Sequence, residues 1–279
     1  MNLFSPSEIK ELLSKYETRP SKGLGQNFLI DKNVLGKIIE SAGIKPNEVI
    51  LEVGPGIGTL TQELAKLAKK VIAVEKDKTM CEILKGTLKD YKNVKVINAD
   101  ILRYKLQRPK GYPGYKLIAN IPYYLTSPLI RKFLECENPP QEMILMLQKE
   151  VAQRICAKPP DMSLLAASVQ FYADAKIISY VSKNCFWPSP KVDSAIIKII
   201  PKNVGCPTPP EPFFKIVKAG FSQPRKQLAG NLSKSLKLKR EESESWLKKN
   251  NICPSQRAET LSVADWKNLV DSRPLACGG

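Results

Sequence analysis

The sequence predicts an α/β fold: a doubly wound, mainly parallel sheet followed by a smaller all-helical domain. Three observations predict it. Short apolar runs alternate with helical spacings from Val49 to Leu147. A glycine-rich turn, Gly54-Pro-Gly-Ile-Gly58, follows the first of those runs. A proline-rich stretch, residues 201–212, separates this pattern from a purely helical one. Strands alternating with helices are the signature of βαβ units, which lie side by side in a parallel sheet covered on both faces.

The elements follow in order. Val49–Glu52 (VILE) is a wholly apolar run ending in an acid, the mark of a strand buried on both faces. Thr59–Lys69 has apolar residues at 60, 64, 67 and 68, a helical spacing. Val71–Val74 is the second strand, Thr79–Leu88 a helix, Val94–Asn98 the third strand and Tyr115–Ala119 the fourth. A helix is expected over Thr126–Leu134 and a fifth strand over Glu142–Leu147. Helical patterns follow near 150–158 and 162–171, then strands near 176–181 and 192–200. After the prolines come helical patterns at 212–222, 224–236, 240–250, 254–260 and 262–271, and the final PLACGG is expected to fray. The expected domains are therefore 1–201, with a helical extension over 1–20, and 213–279.

Composition narrows the chemistry. The 279 residues include 44 Lys+Arg, 27 Asp+Glu and no histidine, a net charge of +17. Without histidine there is no Ser-His-Asp or Cys-His nucleophile and no imidazole metal ligand. The seven cysteines contain no CxxC pair, so a metal site is not expected, and reduced thiols in a cytoplasmic protein fit better than a disulfide framework. No run approaches the ~18 apolar residues of a membrane helix, and the charged, amphipathic N-terminus does not read as a signal peptide. Most of the charge follows residue 100, and Phe213–Arg240 holds eight basic residues and no acid. Such a field attracts polyanions, although a lysine-rich solvated surface would read the same way.

Glycines 54 and 56 let backbone pass close to a ligand at the start of a helix. NAD, FAD and S-adenosylmethionine sites all share such a loop. Glu75 ends the second strand, where a carboxylate can accept ribose hydroxyls, and Asp100 ends the third, where one can accept an adenine amino group. The GxGxG spacing with an internal proline favours S-adenosylmethionine over a dinucleotide, which also needs a pyrophosphate site.

Asn120-Ile-Pro-Tyr-Tyr124 follows the fourth strand. Its chemistry suits an exocyclic amine, whose lone pair is delocalised into the ring. The Asn120 oxygen and the Ile121 or Pro122 carbonyl can accept the two N–H bonds, turning the nitrogen toward tetrahedral geometry. Tyr123 can stack on the base. Positioning then replaces a general base. The plainer reading of this run is a proline turn with a core tyrosine.

Five runs, in order, closely resemble the ribosomal RNA adenine N6-dimethyltransferases: Lys22–Leu29 (KGLGQNFL), Glu52–Thr61 (EVGPGIGTLT), Asn98–Asp100, Asn120–Tyr123 and Phe186–Ser194 (FWPSPKVDS). More narrowly they are similar to the bacterial enzymes that dimethylate two adjacent adenines in the 3′-terminal hairpin of 16S rRNA. The resemblance implies a Rossmann-like methyltransferase fold, S-adenosyl-L-methionine as cofactor, and 16S rRNA of the immature small subunit as partner of a monomeric, cytoplasmic enzyme. It implies cofactor contacts from Asn27, Leu29, Gly54, Gly56, Glu75, Asp100, Ile101 and Asn120. It implies catalytic roles for Asn120, Pro122, Tyr123 and Phe186, with Pro188, Pro190 and Lys191 shaping the mouth. Trp187 reads equally as core. The family's Phe-x-x-Arg-Arg-Lys…Asn-Asn-Leu run is altered here: Pro224 replaces an arginine and Gly230 an asparagine. Asn27 stands where many members carry histidine. Two other readings remain: a large-subunit rRNA methylase of the macrolide-resistance type, and an RNA-binding assembly factor.

Overall fold

A computed structural model describes residues 1–105, 114–202 and 209–273. Residues 203–208 of the proline-rich stretch and the terminal 274–279 lie outside the described residues.

The chain opens with helix α1 (Pro6–Lys15), started by a proline in its first turn and by Ser5, whose hydroxyl accepts the Glu8 N–H. A two-residue strand β1 (Phe28–Leu29) precedes α2 (Lys32–Ala42), which Asp31 caps by accepting the Asn33 and Val34 N–H groups. Neither β1 nor α2 is foreseen by the periodicities above. Then come β2 (Val49–Val53), α3 (Thr59–Leu67), β3 (Lys70–Glu75), α4 (Lys78–Thr87), β4 (Val94–Asn98), β5 (Lys116–Asn120), α5 (Thr126–Leu134) and β6 (Glu142–Gln148). Next are α6 (Lys149–Ile155), α7 (Leu164–Tyr172), β7 (Ala173–Val181), β8 (Phe186–Trp187) and β9 (Ser194–Pro201). Helices α8 (Pro210–Gly220), α9 (Leu228–Leu236), α10 (Arg240–Lys249) and α11 (Val263–Asp271) complete the chain. The helix expected over 254–260 is only a short 3-10 turn at Ala258–Thr260.

The seven-stranded sheet has the order β4-β3-β2-β5-β6-β9-β7. The first five are parallel neighbours, and β9 pairs antiparallel with β6. The chain moves from β2 to β3 on one side and returns to β5 on the other. Ligand crevices of open α/β sheets form at such a switch point, outside the strand carboxyl ends. Val49, Ile50 and Leu51 are buried on both faces, as the apolar run requires. Strands β1 and β8 form a separate antiparallel ribbon, pairing Phe28 with Trp187 and Leu29 with Phe186.

The opposite end of the sheet is pinned by an ion cluster built around the buried Lys116. Lys116 Nζ lies 3.1 Å from Glu48 and 3.2 Å from Glu142. It also donates to the Ala42 and Gly43 carbonyls at the C-terminus of α2, where a cation is favoured. Lys198 on β9 pairs with Glu142 at 2.6 Å. Removing one partner of such a cluster leaves buried charge and carbonyls uncompensated. Lys116→Met is therefore expected to cost about 3 kcal/mol or more in chemical denaturation. A loss below about 1 kcal/mol would show that water replaces the ammonium freely.

The contacts divide the chain into two units, Met1–Ala152 with Asp174–Pro201, and Gln153–Ala173 with Lys202–Gly279. This differs from the boundary read at the prolines. Helix α7 places Ala166, Ala167 and Phe171 in one core with Phe213, Trp246 and Trp266. The Phe171 and Phe213 rings lie 4.1 Å apart between centroids. An apolar helix advertises that it will be buried, but not against which core.

Candidate active site

The loops at the strand carboxyl ends of the first unit enclose one cavity. All eleven site residues expected from sequence line it: Asn27 and Leu29, Gly54 and Gly56, Glu75, Asp100 and Ile101, Asn120, Pro122 and Tyr123, and Phe186. Pro188, Pro190 and Lys191 are absent from the cavity wall. Trp187 is absent too, and stacks on Phe28 with centroids 6.5 Å apart, which fits its packing role.

The glycine loop forms the wall after β2. Gly56 has φ +58°, and a Cβ there would stand 3.2 Å from the Phe28 ring. A side chain at this point would be strained and would crowd the ring, which would have to give by a few tenths of an ångström. The loop is tied to Glu75, whose Oε2 accepts the Gly56 N–H at 3.2 Å and whose Oε1 accepts the Asp77 N–H at 2.9 Å. Burial is the main influence on Glu75 and raises its pKa against these donors. The carboxylate thus sits where ribose hydroxyls could add the donors it lacks.

Asp100 follows β4. Its Oδ1 accepts the Leu102 N–H at 2.9 Å and its Oδ2 pairs with Lys76 at 3.0 Å. The Lys76 ammonium holds its pKa below the ordinary value. The loop beyond it is held by Lys132 of α5, which donates to the Leu102 carbonyl at 3.0 Å and the Tyr104 carbonyl at 2.7 Å. Asp100 is therefore an ionised acceptor beside the buried apolar wall of Ile101.

The acceptor loop leaves β5. Register with β6 pairs Asn120 with Met146, and the Ile121 N–H bonds the Met146 carbonyl at 3.0 Å. Asn120 Nδ2 donates to the Asn27 carbonyl at 3.2 Å. A carbonyl can only accept, so this contact fixes which end of the amide is which and leaves Oδ1 as the acceptor. The Pro122 carbonyl accepts the Leu125 N–H at 2.8 Å and retains a second lone pair. The half-buried Tyr123 is steadied by a 2.8 Å bond between its hydroxyl and Ser194. Phe186 is almost wholly buried, with its ring also reaching the cavity wall.

Several residues carry this geometry without having been assigned a role from sequence: Glu52, Gln26, Lys76, Asp77, Lys132 and Ser194. Glu52 had the clearest signal, an ionisable residue in a strand with no other polar position. It is 1% exposed, lines the cavity, and its Oε2 has no hydrogen-bond partner. Burial pushes its pKa up to about 8, and the nearby Glu75 adds to the effect. A buried carboxyl with one unpaired oxygen, beside a cavity flanked by ribose- and adenine-type acceptors, fits a ligand that combines an adenosine with cationic groups. S-adenosyl-L-methionine, with its sulfonium and ammonium, has that character.

Comparison with known proteins agrees with this chemistry. A family model described as ribosomal RNA adenine dimethylase matches residues 18–273. A ribosomal RNA small subunit methyltransferase A from Dehalococcoides mccartyi is 44% identical over 266 residues, 94% of this chain and 91% of that protein. The protein of the same name from Clostridioides difficile is 42% identical over 97% of this chain and 98% of its own length. Among solved structures, a dimethyladenosine transferase from Plasmodium falciparum aligns with TM-score 0.73 and 29% identity, over 86% of this chain and 95% of its own. The 23S rRNA methyltransferase ErmE aligns with TM-score 0.71 and 26% identity, over 88% and 99%. With its Rossmann-like sheet, its acceptor loop and a match over nearly its whole length, the chain belongs to the ribosomal RNA adenine dimethylase family.

Proposed function

We propose that this enzyme uses S-adenosyl-L-methionine to dimethylate N6 of two adjacent adenines in the 3′-terminal hairpin of 16S rRNA, during maturation of the small ribosomal subunit. The observation that carries the reading is the Asn120 amide, held by the Asn27 carbonyl with its oxygen left to accept, in the same cavity as Glu75, Asp100 and Tyr123. Relatives at 42–44% identity are named for the small subunit, whereas the 23S enzyme stands at 26%, which favours the small-subunit substrate over the large.

When bound, S-adenosyl-L-methionine supplies an electrophilic methyl group on a sulfonium. Glu75 and Asp100 would hold its adenosine by accepting hydroxyl and amino protons, with Ile101 against the base. Leu29, Gly54 and Asn27 would wall its other end, and Glu52, once its proton is released to solvent, would offset its positive charge. On the acceptor side, Asn120 Oδ1 and the free lone pair of the Pro122 carbonyl accept the two N6 protons. That draws the nitrogen lone pair out of the ring and directs it at the methyl. Tyr123 and Phe186 hold the base plane. Proximity and orientation of this kind supply several kcal/mol without a general base, which a chain lacking histidine can do.

The second unit supports an RNA partner. Residues 222–227 are all exposed, and Arg225 and Lys226 stand among them. Phosphate contacts from such residues give affinity and register rather than base readout. Among the described residues no helix is long and apolar enough to cross a membrane, and we place the enzyme in the cytoplasm as a monomer.

The test is methyl transfer from labelled S-adenosyl-L-methionine to small-subunit particles lacking the modification. N6,N6-dimethyladenosine in the 16S rRNA digest is expected. Label confined to naked 23S rRNA would move the assignment to the large subunit, and no label in either would leave only a binding role.

A further inference from the structure

The run Lys22–Leu29 does more than face the cofactor cavity. Within it, Gln26 is bound on both sides of its amide. Its Nε2 donates to Asp77 Oδ2 at 2.9 Å, its Oε1 accepts the Ser21 N–H at 2.8 Å, and its own N–H bonds the Ser21 carbonyl at 3.1 Å. Asp77 is itself fixed. Its Oδ1 accepts the Thr79 N–H at 2.8 Å to cap α4, and its N–H donates to Glu75. The next residue, Asn27, presents the carbonyl that takes the Asn120 amide.

The loop has little freedom to find that position by other means. Gly25 has φ +61°, and a Cβ there would lie 3.3 Å from the Pro122 Cβ, so the backbone passes directly over the acceptor loop. Phe28 packs against Gly56 on one side and Trp187 on the other. Between these two anchors, the Gln26–Asp77 bond ties the loop to the start of α4, as the Asn120 amide ties it to the end of β5.

We propose that Gln26 is a positioning residue for methyl transfer: by bonding Asp77 it sets the Asn27 carbonyl, and that carbonyl orients the Asn120 amide toward the acceptor amine. The proposal rests on the reading that Asn120 accepts the N6 protons. An amide free to rotate presents its NH2 to the amine part of the time. A donor facing a donor orients nothing.

The test uses an isosteric pair. Gln26→Glu keeps the volume and the acceptor for Ser21, but sets a carboxylate against the Asp77 carboxylate. Adding Asp77→Asn restores a bond with its direction reversed, since the introduced amide nitrogen donates to the introduced carboxylate. Asparagine caps a helix about as well as aspartate, so α4 keeps its cap. Gln26→Glu is expected to lower kcat about tenfold or more, given the ~100-fold penalty of ~1 Å misplacements. S-adenosyl-L-methionine affinity by calorimetry should stay within about threefold on the same ground. The side-chain amide resonance of Asn120, identified by its loss in Asn120→Ala, should shift. The double variant should recover both kcat and the resonance.

Three results would overturn the proposal. One is kcat of Gln26→Glu within about twofold of the parent, inside the scale of a lost weak contact. Another is an unmoved Asn120 resonance. The third is a defect that appears as lost cofactor affinity with kcat preserved, which would make Gln26 a cofactor contact. If the parent itself made no dimethyladenosine, the functional reading would fail, and the resonance would still judge the positioning.

Discussion

Asn120→Ala is expected to lower kcat by about a hundredfold or more, the scale seen when one preorganised hydrogen-bonding group is removed from a reaction centre. The side chain stands at the end of a strand whose register is set by β6, so its deletion leaves the sheet intact. Cofactor affinity should fall by no more than about tenfold, because Glu75, Asp100 and Ile101 remain. Asn120→Asp should be equally poor. Its carboxylate can accept from an amine, but it cannot donate to the Asn27 carbonyl at 3.2 Å, which would then face a like dipole. Single-turnover methylation of unmodified small-subunit particles measures the chemical step directly. A variant retaining a third or more of the parent rate would remove Asn120 from the proposed acceptor site.

The second large effect concerns pH. Glu52 titrates near 8 in the folded protein against an ordinary value of 4.5. Between those values the unfolded chain has released a proton that the folded chain keeps, so stability falls as pH rises through that window. Three or more units correspond to about 4 kcal/mol at 1.36 kcal/mol per unit. Glu75, also raised by burial, acts in the same direction. Asp100 and Asp31 are held low by their partners and act oppositely, only on the acid side of their ordinary value of 3.8. The ligand-free protein should therefore lose on the order of 10 °C in Tm between pH 5 and pH 8. Glu52→Gln, which mimics the protonated carboxyl, should remove most of that loss. Calorimetry of both proteins at four pH values decides it. Parallel slopes would mean that Glu52 is ionised in the fold and already neutralised by its surroundings.

Most of the sheet was legible because its signals are local. A run such as Val49–Glu52 is apolar on both faces only if it lies inside a layered sheet, and Thr126–Leu134 shows its helical stripe without help from the rest of the chain. That the expected site residues line one cavity was legible for a related reason. Strand-end acids and a proline-stiffened loop have few structural uses, and the topology brings strand ends together. The two-residue ribbon of β1 and β8 was not legible. Its partners lie about 160 residues apart and neither is long enough to show a period.

The sequence by itself determined the order of β2 to β6 and the helices between them, the glycine-rich and proline-stiffened loops at the strand ends, and the sign of the partner's charge. These follow from composition and short-range periodicity, which each segment carries alone. Only the tertiary structure decided that residues 153–173 join the helical unit, that β9 runs antiparallel to β6, and that burial raises the Glu52 pKa. It also decided which carbonyl holds the Asn120 amide. Each of these depends on groups distant in the chain meeting in a medium without water. There one unpaired oxygen or one hydrogen bond sets charge and orientation, and no local pattern records which distant group will arrive.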